Sequence, residues 1–372
     1  MKPPPTTDPG INRRSFLKAG LKAGAKAGGM ACLVPIASSA VLSQGRAGEE
    51  MGGTPVHRLR LGAAWPLYGN LLGLSTRRLA QRIRWLSAGS VAVELVDIGT
   101  ASLPALDDIA RIPVDAWHSA AHLWPEAPPA WTLFGMQMFG MTAPEIRVWR
   151  NTSPGRGVRE DQAGRSGLAV WFTGEVAAGG MAVRDHAWPD AGRIACSPGS
   201  AAVWERLGFD AVPMTPAAAL GAVVNGEAVA AEVPPLLAGP ARRLGDAGLR
   251  YVRFGAFSPG LATELLAKSA VLDRLPAGME GWLVQACAEE ATALAAEAIQ
   301  EEQSWMQDAG RAGLLVEAPA EIVVKGGRTV GDMLRSLETD ALSHDVVGAY
   351  RKVRRNLGTT AAGCCAMHGA FG

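Results

Sequence analysis

One apolar stripe of unusual length runs through the last third of this chain. Leu283, Cys287, Leu294, Ala298 and Trp305 lie 4, 7, 4 and 7 residues apart, a spacing that puts them on one helical face. Pro276 upstream suits a helix entrance. A helix of about 30 residues is about 45 Å long at 1.5 Å per residue. That exceeds the width of one small domain, so the stripe predicts a spine shared by two lobes. The rest of the chain alternates strands and helices. Residues 58–65 alternate basic and apolar side chains, as an opening strand does. Residues 74–88 carry Leu79, Ile83 and Leu86 at helical spacing before Gly89, and 91–96 read as a second strand. A strand, helix, strand opening implies an α/β protein with a parallel pair. Further strands are expected at 167–173, 192–196 and 228–233, and helices at 200–207, 216–224, 238–246 and 330–356. The basic cluster Arg351, Lys352, Arg354 and Arg355 opposes the negative end of the last helix and reads as a solvated helix end. No internal repeat of 20–50 residues is present.

Composition excludes some functions. The 372 residues are 48% hydrophobic, enough for one large or two medium cores and too apolar for a disordered chain. Lys and Arg number 36 against 35 Asp and Glu, so no basic field favours nucleic acid. Residues 1–40 hold six of the basic side chains and one acid, leaving 30 basic against 34 acidic from Val41 onward. That slightly acidic body predicts no phosphate-binding surface.

The excess of positive charge has a local cause. Asn12-Arg13-Arg14-Ser15-Phe16-Leu17-Lys18 precedes a weakly hydrophobic Ala/Gly stretch and an apolar run, and this segment resembles a twin-arginine export signal. Residues 1–47 are therefore expected to be signal peptide and leader, and the protein to be periplasmic. After Leu42 no apolar run reaches the roughly 18–20 residues of a membrane helix.

Catalytic signatures are absent. The sequence contains no HExxH pair, GxSxG elbow, strand-linked GxGxxG turn or P-loop. His118 and His122, at i, i+4, permit two metal ligands but lack an adjacent carboxylate cluster and read as a packed or exposed pair. Cys364-Cys365 with His368 does not make a tetrahedral site easily, because adjacent thiolates cannot readily face one ion. This shifts weight from an enzyme toward a binding protein.

Residues 120–150 read AAHLWPEAPPAWTLFGMQMFGMTAPEIRVWR. With Gly179-Gly180, Asp190-Ala191-Gly192-Arg193-Ile194 and Gly226 through Glu232 in order, they resemble the solute-binding proteins of tripartite ATP-independent periplasmic (TRAP) transporters across residues 58–356. The resemblance implies a two-lobe α/β periplasmic binding protein fold with one long helix spanning both lobes. Lobe I would comprise 55–175 plus 262–305, lobe II 176–261 plus 306–356, and 357–372 a disordered tail. It implies a receptor that captures a small organic carboxylate in an interlobe cleft and hands it to membrane permease subunits without chemical change. By motif position Arg193 would pair with the carboxylate, since a guanidinium stays charged and offers parallel donors. Glu232 would lie at the ligand and hold a metal cation. Trp124, Trp131 and Phe139 are candidates for the cleft wall. No organic cofactor is implied; a bound sodium or calcium ion, and a homodimer through the long C-terminal helix, are compatible with the resemblance. Departures from the pattern are Met138 for a proline, Ala177 for a glutamine and Val233 for a tryptophan. The alternatives are a twin-arginine-exported enzyme on a two-lobe scaffold, or a degenerate paralogue used as a sensing or interaction module.

Overall fold

The computed structural model describes residues 57–97, 103–177, 179–184, 188–253 and 260–368, with side chains as far as Leu357. The twin-arginine segment 1–47 lies outside the described residues, as do the side chains of Cys364, Cys365 and His368.

Sheet A opens with strand β1 (His57–Ala63), helix α1 (Leu71–Leu86) and strand β2 (Val91–Val96), with β1 and β2 parallel. Asn70 caps α1 by accepting from Gly73 N at 2.8 Å, which satisfies a donor left unpaired at a helix start. Next come β3 (Ala116–Ser119), α2 (Ala143–Asn151), α3 (Gly155–Arg165) and β4 (Leu168–Val176). Residues 177–179 carry the chain into sheet B. There β5 (Gly180–Val183), β6 (Arg193–Cys196), α4 (Ala201–Leu207), β7 (Asp210–Pro213), α5 (Pro216–Asn225), β8 (Ala230–Glu232), α6 (Ala241–Asp246) and β9 (Arg250–Arg253) follow. The chain then returns to sheet A as β10 (Leu261–Lys268), antiparallel to both β3 and β4. Sheet A is ordered β2-β1-β3-β10-β4; sheet B, completed by β11 (Leu315–Val316), is ordered β11-β9-β5-β8-β6-β7.

After the short helix α7 (Ser269–Leu272) comes α8 (Met279–Arg311), 33 residues and about 50 Å long. All five stripe residues are buried, and each joins the core that its position along the helix reaches. Leu283 and Cys287 pack with Leu59, Leu265 and other residues of sheet A. Leu294 and Ala298 pack with Trp65, Val176 and Leu236, which come from both lobes. Trp305 joins Tyr251 and Val233 under sheet B. Helix α1 grips the spine through Arg78, which donates to Glu290 at 2.6 Å and Glu297 at 2.6 Å, and through Arg82 to Glu290.

One expectation at the C-terminus needs correction. The helix expected over 330–356 is two helices, α9 (Ala320–Ser336) and α10 (Ala341–His368). Asp340 accepts from Ser343 N at 2.8 Å and starts the second one afresh. Helix α9 packs on α4 while α10 packs on α2 and α3, with the Tyr350 ring edge-on to Trp149 at 5.6 Å. Helix α10 continues to His368 through Ala361, Ala362 and Ala366, residues that propagate a helix once it has started.

Candidate functional site

In open α/β sheets, ligands bind beyond the carboxyl ends of the strands. Here those ends from both sheets meet along one seam. Beyond β3 the chain forms a turn of 3₁₀ helix at Ala121–Leu123; beyond β6 it forms another at Pro198–Ser200. The two turns touch. A Cβ on Gly199 would fall 2.8 Å from Thr132 Cγ2 and 3.1 Å from His122 Cβ, so only glycine permits the approach.

Glu232, at the end of β8, is 6% exposed and faces this seam from the second lobe. Its Oε2 accepts from Ser197 N at 3.0 Å and Ser197 Oγ at 3.2 Å, and its Oε1 from Ser200 Oγ at 3.0 Å. The two hydroxyls are 2.8 Å apart. Two carboxylate and two hydroxyl oxygens so gathered are hard donors of the kind sodium and calcium prefer. Each of these oxygens is engaged by another member of the group, and Ser197 N–H remains on Oε2.

His122 faces the same seam from the first lobe. Burial pushes its pKa down to about 3, with Glu264 opposing the shift, so the ring is neutral. Its Nδ1 is buried without a hydrogen-bond partner among the described residues. His118 behaves differently, although burial, helped by Arg78, also lowers its pKa to about 3. Trp65 Nε1 donates to Thr76 Oγ1 at 3.0 Å, and Thr76 Oγ1 lies 2.8 Å from His118 Nδ1. His118 Nε2 lies 3.0 Å from Thr173 Oγ1, which donates to Thr263 Oγ1 at 2.8 Å, and Thr263 donates to Gly174 O. With that direction fixed, every member is satisfied when His118 carries its proton on Nε2 and accepts on Nδ1. The two histidines thus sit on a strand and a 3₁₀ turn in separate surroundings, and do not share a helix face.

A cleft of about 510 Å³ opens beyond the carboxyl ends of β1, β7 and β8. Trp65 and Tyr68, after β1, supply one wall; Pro216, Leu220 and Val224 of α5, with Arg243 of α6, supply the other. Behind the second wall, Tyr251 donates to Val233 O at 3.0 Å. Its hydroxyl occupies the space where a Cβ on Gly180 would stand, 1.7 Å away, so the Gly179-Gly180 match has a steric basis at Gly180.

The residues singled out in the sequence are dispersed. Glu232 reaches the seam. Arg193 does not: it is the first residue of β6, its side chain is 53% exposed, and it pairs with Asp210 Oδ2 at 2.9 Å. The carboxyl end of β6 lies three residues away, roughly 10 Å along a strand, so strand polarity carries Arg193 to the far edge. Trp124 is buried edge-on to Trp117 and donates to Ser119 Oγ at 3.1 Å. Trp131 lies under the Arg159 guanidinium, 3.9 Å from its ring centroid. Phe139, with φ +54°, presses on Gly326 of α9, and its carbonyl accepts from Arg354 of α10 at 2.8 Å. These three aromatics anchor the core and the C-terminal helices. Trp65, Ser197, Ser200 and Arg243 had no motif to mark them; position just beyond a strand end was the available signal for the first three.

This architecture has close counterparts among solved structures. A TRAP periplasmic solute-binding protein from Pseudoalteromonas atlantica, with bound sodium and pyruvate, is 18% identical with a TM-score of 0.75, over 85% of this chain and 99% of that one. The fold is that of the TRAP solute-binding proteins. A second, from Bordetella bronchiseptica with calcium and picolinate, is 16% identical with a TM-score of 0.74, over 85% and 97%. A third, from Rhodoferax ferrireducens with bound malonate, is 14% identical with a TM-score of 0.67, over 80% and 99%. No family model matches the chain, and no curated protein matches it. The likeness is therefore one of tertiary structure carried by a diverged sequence. Among the described residues no helix is long and apolar enough to cross a membrane.

Proposed function

We propose that this protein is a periplasmic solute receptor, exported through the twin-arginine pathway, that captures a small organic anion and presents it to TRAP permease subunits without chemical change. The observation that carries the reading is the cleft itself, set beyond the carboxyl ends of strands in two sheets that are joined by two chain crossings and by α8. Such a connection permits one lobe to close on the other over a bound solute, with bending of the spine. Lobe I would be 55–175 with 262–305, joined by α10, and lobe II 176–261 with the segment through α9.

Sodium or calcium accompanies the solute in two of the similar structures. In this chain Glu232, Ser197 and Ser200 would hold such an ion, which would supply a positive charge that neutralises a buried carboxylate. Ser197 N–H keeps one carboxylate oxygen oriented, and the closed turn at Gly199 excludes water from the seam.

The test is a thermal-shift screen of the purified protein against short carboxylates, 2-oxoacids and hydroxyacids, with and without sodium or calcium. A solute at 100 times its Kd adds about 2.7 kcal/mol and raises Tm by several degrees. An unchanged Tm across the whole panel would reject the receptor reading.

A further inference from the structure

The chemistry of the cleft walls narrows the solute, if the protein is the receptor proposed above. Arg243 is exposed, has no ion-pair or side-chain hydrogen-bond partner among the described residues, and lines the cleft. No acidic side chain lines the cleft among the described residues. Helix α5, capped by Thr215, lines the same space along one face from Pro216 to Val224. The remaining walls are largely apolar. Tyr68 and Val224, one from each lobe, are 71% and 45% exposed at the cleft, and Trp65 and Leu220 lie among them. Apolar side chains of this size left in water are costly unless something covers them. Tyr68 is also held in place: the Arg77 guanidinium lies 4.9 Å over its ring and donates to Leu67 O. The volume of about 510 Å³ equals roughly 17 water-sized units at ~30 Å³ each, far more than a three-carbon acid fills.

We propose that the cleft selects a monocarboxylate with an apolar aryl or branched aliphatic body, its carboxylate paired with Arg243 and its body held between Tyr68 and Trp65 on one lobe and Leu220 and Val224 on the other. Arg243 is the one cationic side chain lining the cleft among the described residues, so a second carboxylate would lack an ionic partner and dicarboxylates are disfavoured. Closure on such a body covers Tyr68 and Val224 together, giving the closed state the differential affinity that a ligand-driven motion requires.

Isothermal titration of the full chain with 3-phenylpropanoate, 4-methylpentanoate, acetate, pyruvate and malonate tests this. Each additional buried methylene is worth about fourfold in affinity, so the two apolar acids should bind at least 50-fold tighter than acetate. Arg243→Gln should weaken 3-phenylpropanoate by roughly 10- to 100-fold, the worth of a charge-assisted hydrogen bond, and should leave binding of neutral 3-phenylpropanamide unchanged. Val224→Glu, at an exposed position that does not threaten folding, should weaken both apolar acids. Preferential binding of pyruvate or malonate would overturn the solute class while leaving the receptor reading intact. Tight binding of 3-phenylpropanoate unmoved by either substitution would overturn the assigned place. Silence toward every acid would overturn the receptor reading itself.

Discussion

Glu264→Gln should be among the most damaging isosteric substitutions in this protein. Glu264 lies on β10, and its side chain is fully buried between Arg150 of α2 and Arg159 of α3, which are themselves 2% and 1% exposed. Oε2 accepts from Arg150 Nη2 at 2.8 Å and Arg159 Nε at 3.1 Å, and Oε1 from Arg159 Nη2 at 2.6 Å. Burial pushes this carboxyl up, but the guanidiniums of Arg159 and Arg150 outweigh it and hold the group below its ordinary range. Glutamine keeps the shape, removes the carboxylate bonded to both buried cations, and aims an amide N–H₂ at a guanidinium donor. Removing one partner from a buried ion cluster costs about 3–5 kcal/mol, a large share of the ~5–15 kcal/mol typical of folded proteins. Spread over roughly 300 ordered residues at about 2.1 cal/mol/K each, that is a fall in Tm of about 5–8 °C. Urea unfolding should show a lower midpoint at an unchanged slope. Adding Arg159→Met should recover part of the loss, because it removes one uncompensated cation. A loss below about 1 kcal/mol, or no recovery in the double variant, would refute the argument that this cluster is a mutually dependent buried ion network.

Three further outcomes are expected. Acidification from pH 7.5 to 5 should destabilise the protein by on the order of 4 kcal/mol. His118 and His122 are held neutral with pKa values lowered from 6.5 to about 3, so between those values the unfolded chain binds more protons, and each histidine costs about 2 kcal/mol at pH 5. Glu264, held below its ordinary value, stays ionised over that range, and its contribution disappears only as pH falls further; urea midpoints measured against pH, with and without His118→Gln, check the sign. Arg193→Ala should change stability by less than about 1 kcal/mol, since the pair with Asp210 is exposed on both sides, and should leave titrations with bound acids unaltered; a lost ligand response would restore Arg193 to the site. Gly180→Ala should cost more than about 2 kcal/mol because the new Cβ lands 1.7 Å from the buried Tyr251 hydroxyl, and a wild-type melting curve would show that this strand has room to shift.

Elements with a local or periodic signal were legible in the linear chain. The stripe from Leu283 to Trp305 required a long helix, and each of its members found the core that its distance along the axis dictates. The opening around Leu61, Leu79 and Val93 required a strand, a helix and a parallel strand, because burial on one face imposes a period of 2 or 3.6. Glu232 was legible because it ends a strand in a recognisable order of small motifs. Only the assembled fold shows that the carboxyl end of β6 meets the seam and that Arg193, at the other end, pairs with Asp210. It alone brought Gly199 against His122, turned Trp124, Trp131 and Phe139 into core, laid α10 back on the first lobe, and left Arg243 facing an apolar slot. Those facts depend on strand polarity and on contacts between residues far apart in the chain, for which a linear pattern carries no term.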